Sequence, residues 1–204
     1  MAQTAELKDV QRQITATEVR ARELMAGVSQ EQLWTRPSPQ SWSIGECLAH
    51  LNIVGQLYLQ QGMEGAVTAG WAAGKVGSGP FRYSLMFRLF MWYEEPPPRK
   101  KFIPFKLGNA SPELFAPPAQ PNEQVFEEFM ALQAELLALS ERADGLDLNG
   151  IRLSSPAAER FRMSLLEAFG GTLAHQRRHL WQAERAKETI QTQTLPDGPP
   201  ASGD

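Results

Sequence analysis

The clearest helix start in this chain is the segment SIGECLAHL at residues 43–51. Ser43 and Glu46 match the S-x-x-E pattern of a capping box, in which each side chain binds the backbone N–H of the other residue. An apolar stripe at helical spacing follows, formed by Ile44, Cys47, Leu51, Val54 and Tyr58. The pattern predicts an amphipathic helix, helix 2, with His50 on the flank of its apolar stripe.

Three further segments repeat this spacing of three and four residues and predict helices 1, 3 and 4. They cover 7–28, 122–140 with Asn122 as its N-cap, and 164–183. Roughly 50 residues, 71–121, connect helices 2 and 3, and such a long crossover permits parallel neighbours. The chain is therefore predicted to be all-α, a four-helix bundle in an up-down-down-up arrangement.

The chain length of 204 residues matches one domain, predicted over 1–190. Glycines and prolines make 71–121 an irregular insertion, and 191–204 is predicted to be a disordered tail. Within the insertion, 84–93 could form a short apolar helix. Its large apolar side chains are predicted to pack on the bundle, and the alternatives are that they cover a pocket or form a homodimer face. These residues are Leu85, Met86, Leu89, Phe90 and Trp92.

Composition excludes several classes of partner. The net charge of -3 and the pI of about 5.7 leave no basic excess for a nucleic-acid backbone. No apolar run approaches the roughly 20 residues that a membrane-spanning helix needs. Cys47 is the only cysteine, so no intrachain disulfide forms, and the N-terminus has no apolar signal segment. These features predict a cytoplasmic protein.

The three histidines of the chain are His50, His175 and His179. The last two form HQRRH, and an i,i+4 pair leaves one helix face one turn apart. A lone histidine is more often a hydrogen-bonded core residue than a ligand, but all three lie at or near inward positions. Three neutral imidazoles with a free fourth position are typical of catalytic metal sites, so we predict a divalent metal site.

Two neighbouring polar residues are candidate catalytic residues, Glu46 and Gln176. Glu46 lies one turn before His50 and either orients that ring, acts as a base, or serves only the capping box. Gln176 replaces the glutamate of the zincin motif, which disfavours a metalloprotease. Because an unpaired buried amide is costly, Gln176 contacts either substrate, a ligand water or another helix. Cys47 is either a soft fourth ligand or an apolar filler.

Two segments resemble signatures of the DinB-like superfamily of bacterial four-helix metalloproteins. WSIGECLAHL at 42–51, preceded by Arg36-Pro37, is similar to its helix 2 signature, and HQRRHLWQAER at 175–185 to its last-helix signature. The stretch from Glu94 and the DGLDL turn from Asp144 are also similar. The resemblance covers about 5–190. It implies that the three histidines hold zinc or nickel, with iron and manganese as further options.

Relatives in that superfamily include transferases and isomerases that use bacillithiol, mycothiol or glutathione. The resemblance therefore implies a small-molecule substrate and an S-transferase that depends on a low-molecular-weight thiol. A metal-dependent hydrolase using metal-bound water is the first alternative. A non-catalytic metal-binding or ligand-binding protein is the second, because it needs neither a base nor space for a cosubstrate.

Overall fold

A computed structural model of the chain describes residues 3–97, 115–118, 122–156 and 158–194, and within these ranges the protein is mostly helical. A π-helical turn, Leu59–Met63, joins α3 to α4, and a small antiparallel hairpin precedes the last helix. The elements in chain order are α1 Ala5–Met25, α2 Gln30–Trp34, α3 Ile44–Tyr58, α4 Glu64–Ala72, α5 Leu85–Glu94, α6 Val125–Arg142, β1 Arg152–Ser155, β2 Ala158–Ser164 and α7 Leu165–Thr194.

Two long helices begin with capping boxes. At α3, Glu46 N–H donates to Ser43 Oγ at 3.1 Å, and Ser43 N–H donates to Glu46 Oε2 at 2.8 Å. Ser164 and Glu167 repeat the arrangement at α7 with the same two distances. The helix starts predicted at these serines are confirmed, since each box satisfies two otherwise unpaired backbone donors.

The start of α6 differs from the prediction. Gln124 is the N-cap residue, and no side chain caps the helix there. Asn122 lies two residues earlier, where its Oδ1 accepts the backbone N–H of Gln124 at 2.9 Å. The predicted N-cap is therefore wrong, because Asn122 stabilises the turn before the helix rather than its first turn.

Both α1 and α3 pack against both α6 and α7. The helices α1 and α7 run in the same direction, because Gln13 contacts Arg177 whereas Arg20 pairs with Glu184 one to two turns further along. The hydrophobic core consequently lies between α1, α3, α6 and α7.

The helices α3 and α6 also share a direction. Asn52 donates to the Val125 carbonyl at 2.9 Å, and further along both helices a Cβ on Gly55 would lie 2.2 Å from Leu132. The helix α3 is antiparallel to α7. His50 of α3 meets α7 near its middle, and the π turn that follows α3 contacts β1, which precedes α7 in the chain.

Buried apolar side chains form two clusters, one at each end of the long helices. The first includes Ile14 and Leu173, and the second includes Ala21 and Leu180. Along α1, Thr17 lies between the two clusters, and along α7 the buried Gln176 does so. Polar side chains thus interrupt the core at mid-height.

Two segments outside the predicted helices contain regular structure. Residues 29–40 contain α2, and the segment between α6 and α7 contains β1 and β2. Helix 2, whose end is expected over 62–70, is carried by the π turn into α4, which ends at Ala72. Sequence analysis missed the two strands, although polar and apolar residues alternate over 160–164 in β2.

The predicted tail begins too early, since α7 continues through 191–194. The remainder of that tail, 195–204, and much of the predicted insertion, 98–114 and 119–121, lie outside the described residues. The short apolar helix predicted in the insertion is confirmed as α5.

The packing predicted for α5 is wrong for most of the residues named. Leu85 is 81% exposed, Met86 69% and Leu89 54%, and Phe90 and Trp92 are partly exposed. Phe87 is the buried residue of this helix, and its ring stacks on Tyr83 with centroids 5.8 Å apart. Among the described residues, no helix has the length and apolarity that crossing a membrane would require.

Replacing Gly55 with Ala tests the close approach of α3 to α6. A Cβ at this position would lie 2.2 Å from Leu132 Cδ2, so we expect a loss of about 1–3 kcal/mol in the free energy of unfolding. Gly65→Ala is the matched control, because that exposed helical glycine has nothing within 4 Å. The control should gain about 0.5–1 kcal/mol from helix propensity. Equal effects in urea unfolding would contradict the packing.

Candidate metal centre

The three histidines meet between α3 and α7. Nε2 of His50 lies 3.0 Å from Nε2 of His175. The ring centroid of His179 lies 4.5 Å from those of both other histidines. One ring nitrogen from each residue lies within 4.8 Å of the other two. The cluster therefore combines the i,i+4 pair with a histidine more than a hundred residues away in sequence.

These distances fit a shared divalent ion. Two nitrogens bound at about 2.05 Å lie about 2.9–3.3 Å apart, depending on the bond angle, which matches the His50–His175 separation of 3.0 Å. Three atoms that all lie within 4.8 Å of one another always share a point that is no more than about 2.8 Å from each of them. Small rotations of the rings would bring all three nitrogens to bonding distance.

Each ring has an oxygen acceptor at its Nδ1. His50 Nδ1 lies 2.6 Å from the backbone oxygen of Phe115, His175 Nδ1 lies 3.4 Å from Glu94 Oε2, and His179 Nδ1 lies 3.1 Å from Gln182 Oε1. A carbonyl or carboxylate oxygen only accepts, so the geometry places the proton on Nδ1. The lone pair then remains on Nε2, as it does in metal-bound histidines with an outer hydrogen-bond partner.

Burial keeps the rings of His50 and His179 neutral. His50 is 2% exposed and His179 9%. Desolvation is the main cause that lowers the pKa of His50 to about 4, against the opposing hydrogen bond to Phe115. Desolvation, with His175 and His50 nearby, lowers the pKa of His179 to about 2. Both imidazoles are therefore uncharged at neutral pH, which is the form that coordinates a metal.

Trp42 covers one side of the cluster. Its ring centroid lies 5.0 Å from that of His50 and 5.6 Å from that of His179, with which it stacks at 26°. Cys47 belongs instead to the second apolar cluster and is fully buried, and burial raises the pKa of its thiol. Among the described residues, the group of possible ligands contains the three histidines and not Cys47. The apolar-filler interpretation fits Cys47.

Glu46 lies near His50 but is bound elsewhere. Its carboxylate accepts the Ser43 N–H and pairs with Arg36, through Nε at 3.0 and 2.9 Å and through Nη2. Burial raises its pKa, but these hydrogen bonds lower it more. The acceptor at Nδ1 of His50 is the Phe115 carbonyl and not Glu46, which could have oriented the ring from that position. A role as a base stays a prediction.

Gln176 lies on α7 between His175 and His179 and is 1% exposed. Neither its Nε2 nor its Oε1 has a hydrogen-bond partner among the described residues. Of the three contacts predicted for Gln176, the bond to another helix is thus not found in the described part of the chain. A contact with substrate or ligand water stays a prediction.

Sequence reasoning missed the part played by Glu94. The residue appeared only as the start of a stretch resembling the superfamily. Its carboxylate reaches His175 because the end of α5 is docked on α7, where Glu95 pairs with Arg177 Nε at 3.0 Å and Arg178 donates to the Tyr93 carbonyl at 3.3 Å. Burial raises the pKa of Glu94, whereas His175 lowers it more, so the carboxyl is ionised at neutral pH.

Fold and site together define a helical protein with a buried three-histidine cluster that could hold a metal ion. The chain belongs to the DinB superfamily, whose family model matches residues 13–183. The match includes all three histidines and confirms the family that 42–51 and 175–185 indicated. No curated protein and no solved structure matches the chain at a significant level.

Acidification should destabilise the metal-free protein. The pKa of His50 is 6.5 ordinarily and about 4 when folded, so the unfolded chain binds more protons between these values. Stability is therefore complete above pH 6.5 and falls as the pH drops towards 4, by roughly 3 kcal/mol from His50. Urea unfolding of His50→Gln beside the parent protein measures this. An equally steep fall in both would contradict the assignment.

Removing the Glu94 carboxylate should weaken metal binding. Glu94→Ala leaves the Nδ1 proton of His175 without its acceptor, and the loss of such a partner costs about 10–100-fold in metal affinity. Competition with a chromogenic chelator measures zinc affinity. Glu95→Ala is the control, because it breaks the neighbouring pair with Arg177 without touching a histidine. Equal losses would mean that Glu94 acts only by docking α5.

Proposed function

We propose that His50, His175 and His179 bind one divalent metal ion, zinc or nickel, with iron or manganese as alternatives. The observation that carries this proposal is the shared arrangement of the three rings. One ring nitrogen of each lies within 4.8 Å of those of the other two, and each Nδ1 has an oxygen acceptor, which leaves Nε2 as the nitrogen for the ion. A set of core histidines with unrelated roles has no reason to share this orientation.

We further propose that the protein is a transferase that uses a low-molecular-weight thiol and a small-molecule substrate. A divalent ion on these imidazoles lowers the pKa of a thiol that reaches it, and thiolates suit zinc and nickel. The chain's own residues hold the centre. Glu94 keeps His175 oriented, Trp42 shields the rings from water on one side, and Gln176 offers an unpaired amide.

A hydrolase that activates water is the second candidate. Such an enzyme needs a base near the ion, and Glu46 is committed to Arg36 and Ser43. Glu94 is an ionised carboxylate at the cluster, but it meets His175 at Nδ1 rather than at the Nε2 proposed to face the ion, and its lowered pKa makes it a weaker base, so the hydrolase ranks below the transferase. A non-catalytic metal-binding or ligand-binding protein is the third candidate, supported by the burial of two of the histidines.

The architecture that we propose for this site is a single domain, 1–190, with α1, α3, α6 and α7 as an up-down-down-up four-helix bundle. Helix directions and contacts support it, since α1 and α7 run one way and α3 and α6 the other. We also propose a cytoplasmic location, from the single cysteine, and a homodimer, from the exposed apolar residues of α5.

Replacing His179 with Ala should abolish metal binding and any metal-dependent activity together. Two imidazoles rarely hold the ion, so we expect metal content to fall from near one per chain to near zero. Elemental analysis after loading with zinc or nickel measures this. Arg185→Ala is the control, since its exposed side chain lies on the same helix and pairs only locally with Glu188.

Activity is tested with a thiol-consumption screen of the loaded protein against electrophilic acceptors. Bacillithiol, mycothiol and glutathione are the thiols, and zinc, nickel and manganese the metals. Turnover that disappears in His179→Ala supports the transferase. Metal binding without turnover of any thiol would remove that proposal, and ester or amide cleavage in its place would favour the hydrolase.

A further inference from the structure

Two buried polar side chains on α7, within the turns that carry His175 and His179, have no hydrogen-bond partner among the described residues. Gln176 is 1% exposed, and Thr172 is 8% exposed. Neither amide atom of Gln176 nor the hydroxyl of Thr172 has a hydrogen-bond partner within the described part of the chain. Three polar atoms on one helix are therefore buried and unpaired, whereas the large majority of buried side-chain polar atoms in folded proteins have a partner.

These atoms lie together on the face that carries the site. Thr172 and Gln176 are spaced i,i+4, so their side chains are neighbours on the surface of α7. At 100° per residue, Thr172 falls within about 20° of His179 and Gln176 within about 60°. His175 lies between them along the chain. Thr172 and Gln176 thus share the inward arc of α7 with His179, and His175 lies at the edge of that arc, about 60° from Thr172 on the other side.

Packing does not explain the two residues. Gln176 separates Leu173 of the first apolar cluster from Leu180 of the second, where leucine or methionine would pack as well. Leaving one buried donor or acceptor unpaired costs about 1–3 kcal/mol. The hydroxyl of Thr17, at a comparable height on α1, instead donates to the Gln13 carbonyl at 2.9 Å. A polar residue in this core can therefore be satisfied locally, and Thr172 and Gln176 are not.

We propose that Thr172 and Gln176 form a polar subsite that hydrogen-bonds an uncharged hydroxyl or amide group of the thiol cosubstrate. The amide offers one acceptor and a donor group, and the hydroxyl can do either, so the complementary group must both donate and accept. Thr172 and Gln176 carry no formal charge, which disfavours a carboxylate or ammonium group. The inference rests on the proposed thiol-dependent function and names the chemistry of the cosubstrate's tail.

Solvent water offers the same O–H chemistry, so the experiment must separate water from a ligand hydroxyl. Two thiols of nearly equal size do this: 2-mercaptoethanol carries a hydroxyl where 1-propanethiol carries a methyl group. The full chain is loaded with cobalt(II), and each thiol is titrated while the thiolate-to-cobalt charge-transfer band is followed. The measured quantity is the ratio of the two dissociation constants, and no turnover is needed.

The parent protein should bind 2-mercaptoethanol about tenfold more tightly than 1-propanethiol, as one satisfied hydrogen-bonding group allows. Gln176→Met and Thr172→Val, which keep the side-chain size, should reduce that ratio to near one while cobalt content stays unchanged. Gln133→Met is the control, because Gln133 is a fully buried glutamine whose Oε1 has no partner among the described residues, and it is carried by α6 rather than by α7. The control should keep the ratio.

Each other outcome decides against the subsite. A ratio near one in the parent protein means that water or nothing pairs with these atoms, although thiol binding itself would stand. A ratio that survives in both variants, or is lost in Gln133→Met as well, places the selectivity elsewhere. Cobalt binding without a charge-transfer band for either thiol overturns the thiol function and this inference with it. If Gln176→Met fails to fold, Thr172→Val alone decides.

Discussion

Each imidazole of the cluster, two of them buried and that of His175 half-buried, has an oxygen acceptor at Nδ1, and much of the structure around the site follows from these three contacts. The acceptors come from three different parts of the chain: the Phe115 carbonyl, the Glu94 carboxylate and the Gln182 amide. Only Gln182 is local to its histidine. The other two, Glu94 and Phe115, belong to described parts of the connection between α4 and α6, and at these two residues the connection lies against the helices that carry the rings.

The contact at Glu94 helps to position α5. Successive residues at its end contact α7, with Tyr93 bound by Arg178, Glu94 by His175 and Glu95 by Arg177. Phe87 anchors the same helix on α7, where its ring lies close to Gly171. Because α5 is fixed through these contacts, its remaining large apolar residues face outwards. The connection thus acts as part of the site rather than as a spacer between helices 2 and 3.

The predictable features of this chain are local in sequence. The capping box at Ser43 spans four residues and the pairing of His175 with His179 spans five, so spacing alone revealed them, whereas at Ser164 only the helix start was predicted and its capping box was not. The acceptors for His50 and His175 lie 65 and 81 residues away, and no periodic pattern encodes such contacts. The prediction that the large apolar residues of α5 pack on the bundle was wrong, because they outnumber those that one contact face can bury.

The polar residues at the middle of the core show what the site imposes on stability. A continuous apolar stripe on α7 would join the first cluster, which contains Leu173, to the second, which contains Leu180. The buried residues at this level of α7 are instead polar: Thr172, Gln176 and His179. Residues that break the local rule for a buried helix face are most often retained at functional sites, where lost stability is offset elsewhere. Here the two long capped helices and two complete apolar clusters provide that offset.

The break also coincides with the histidines, because one stretch of α7, 172–179, holds both the imidazole pair and the unpaired polar atoms. The same turns of one helix therefore define where an ion would bind and which groups its ligand would meet.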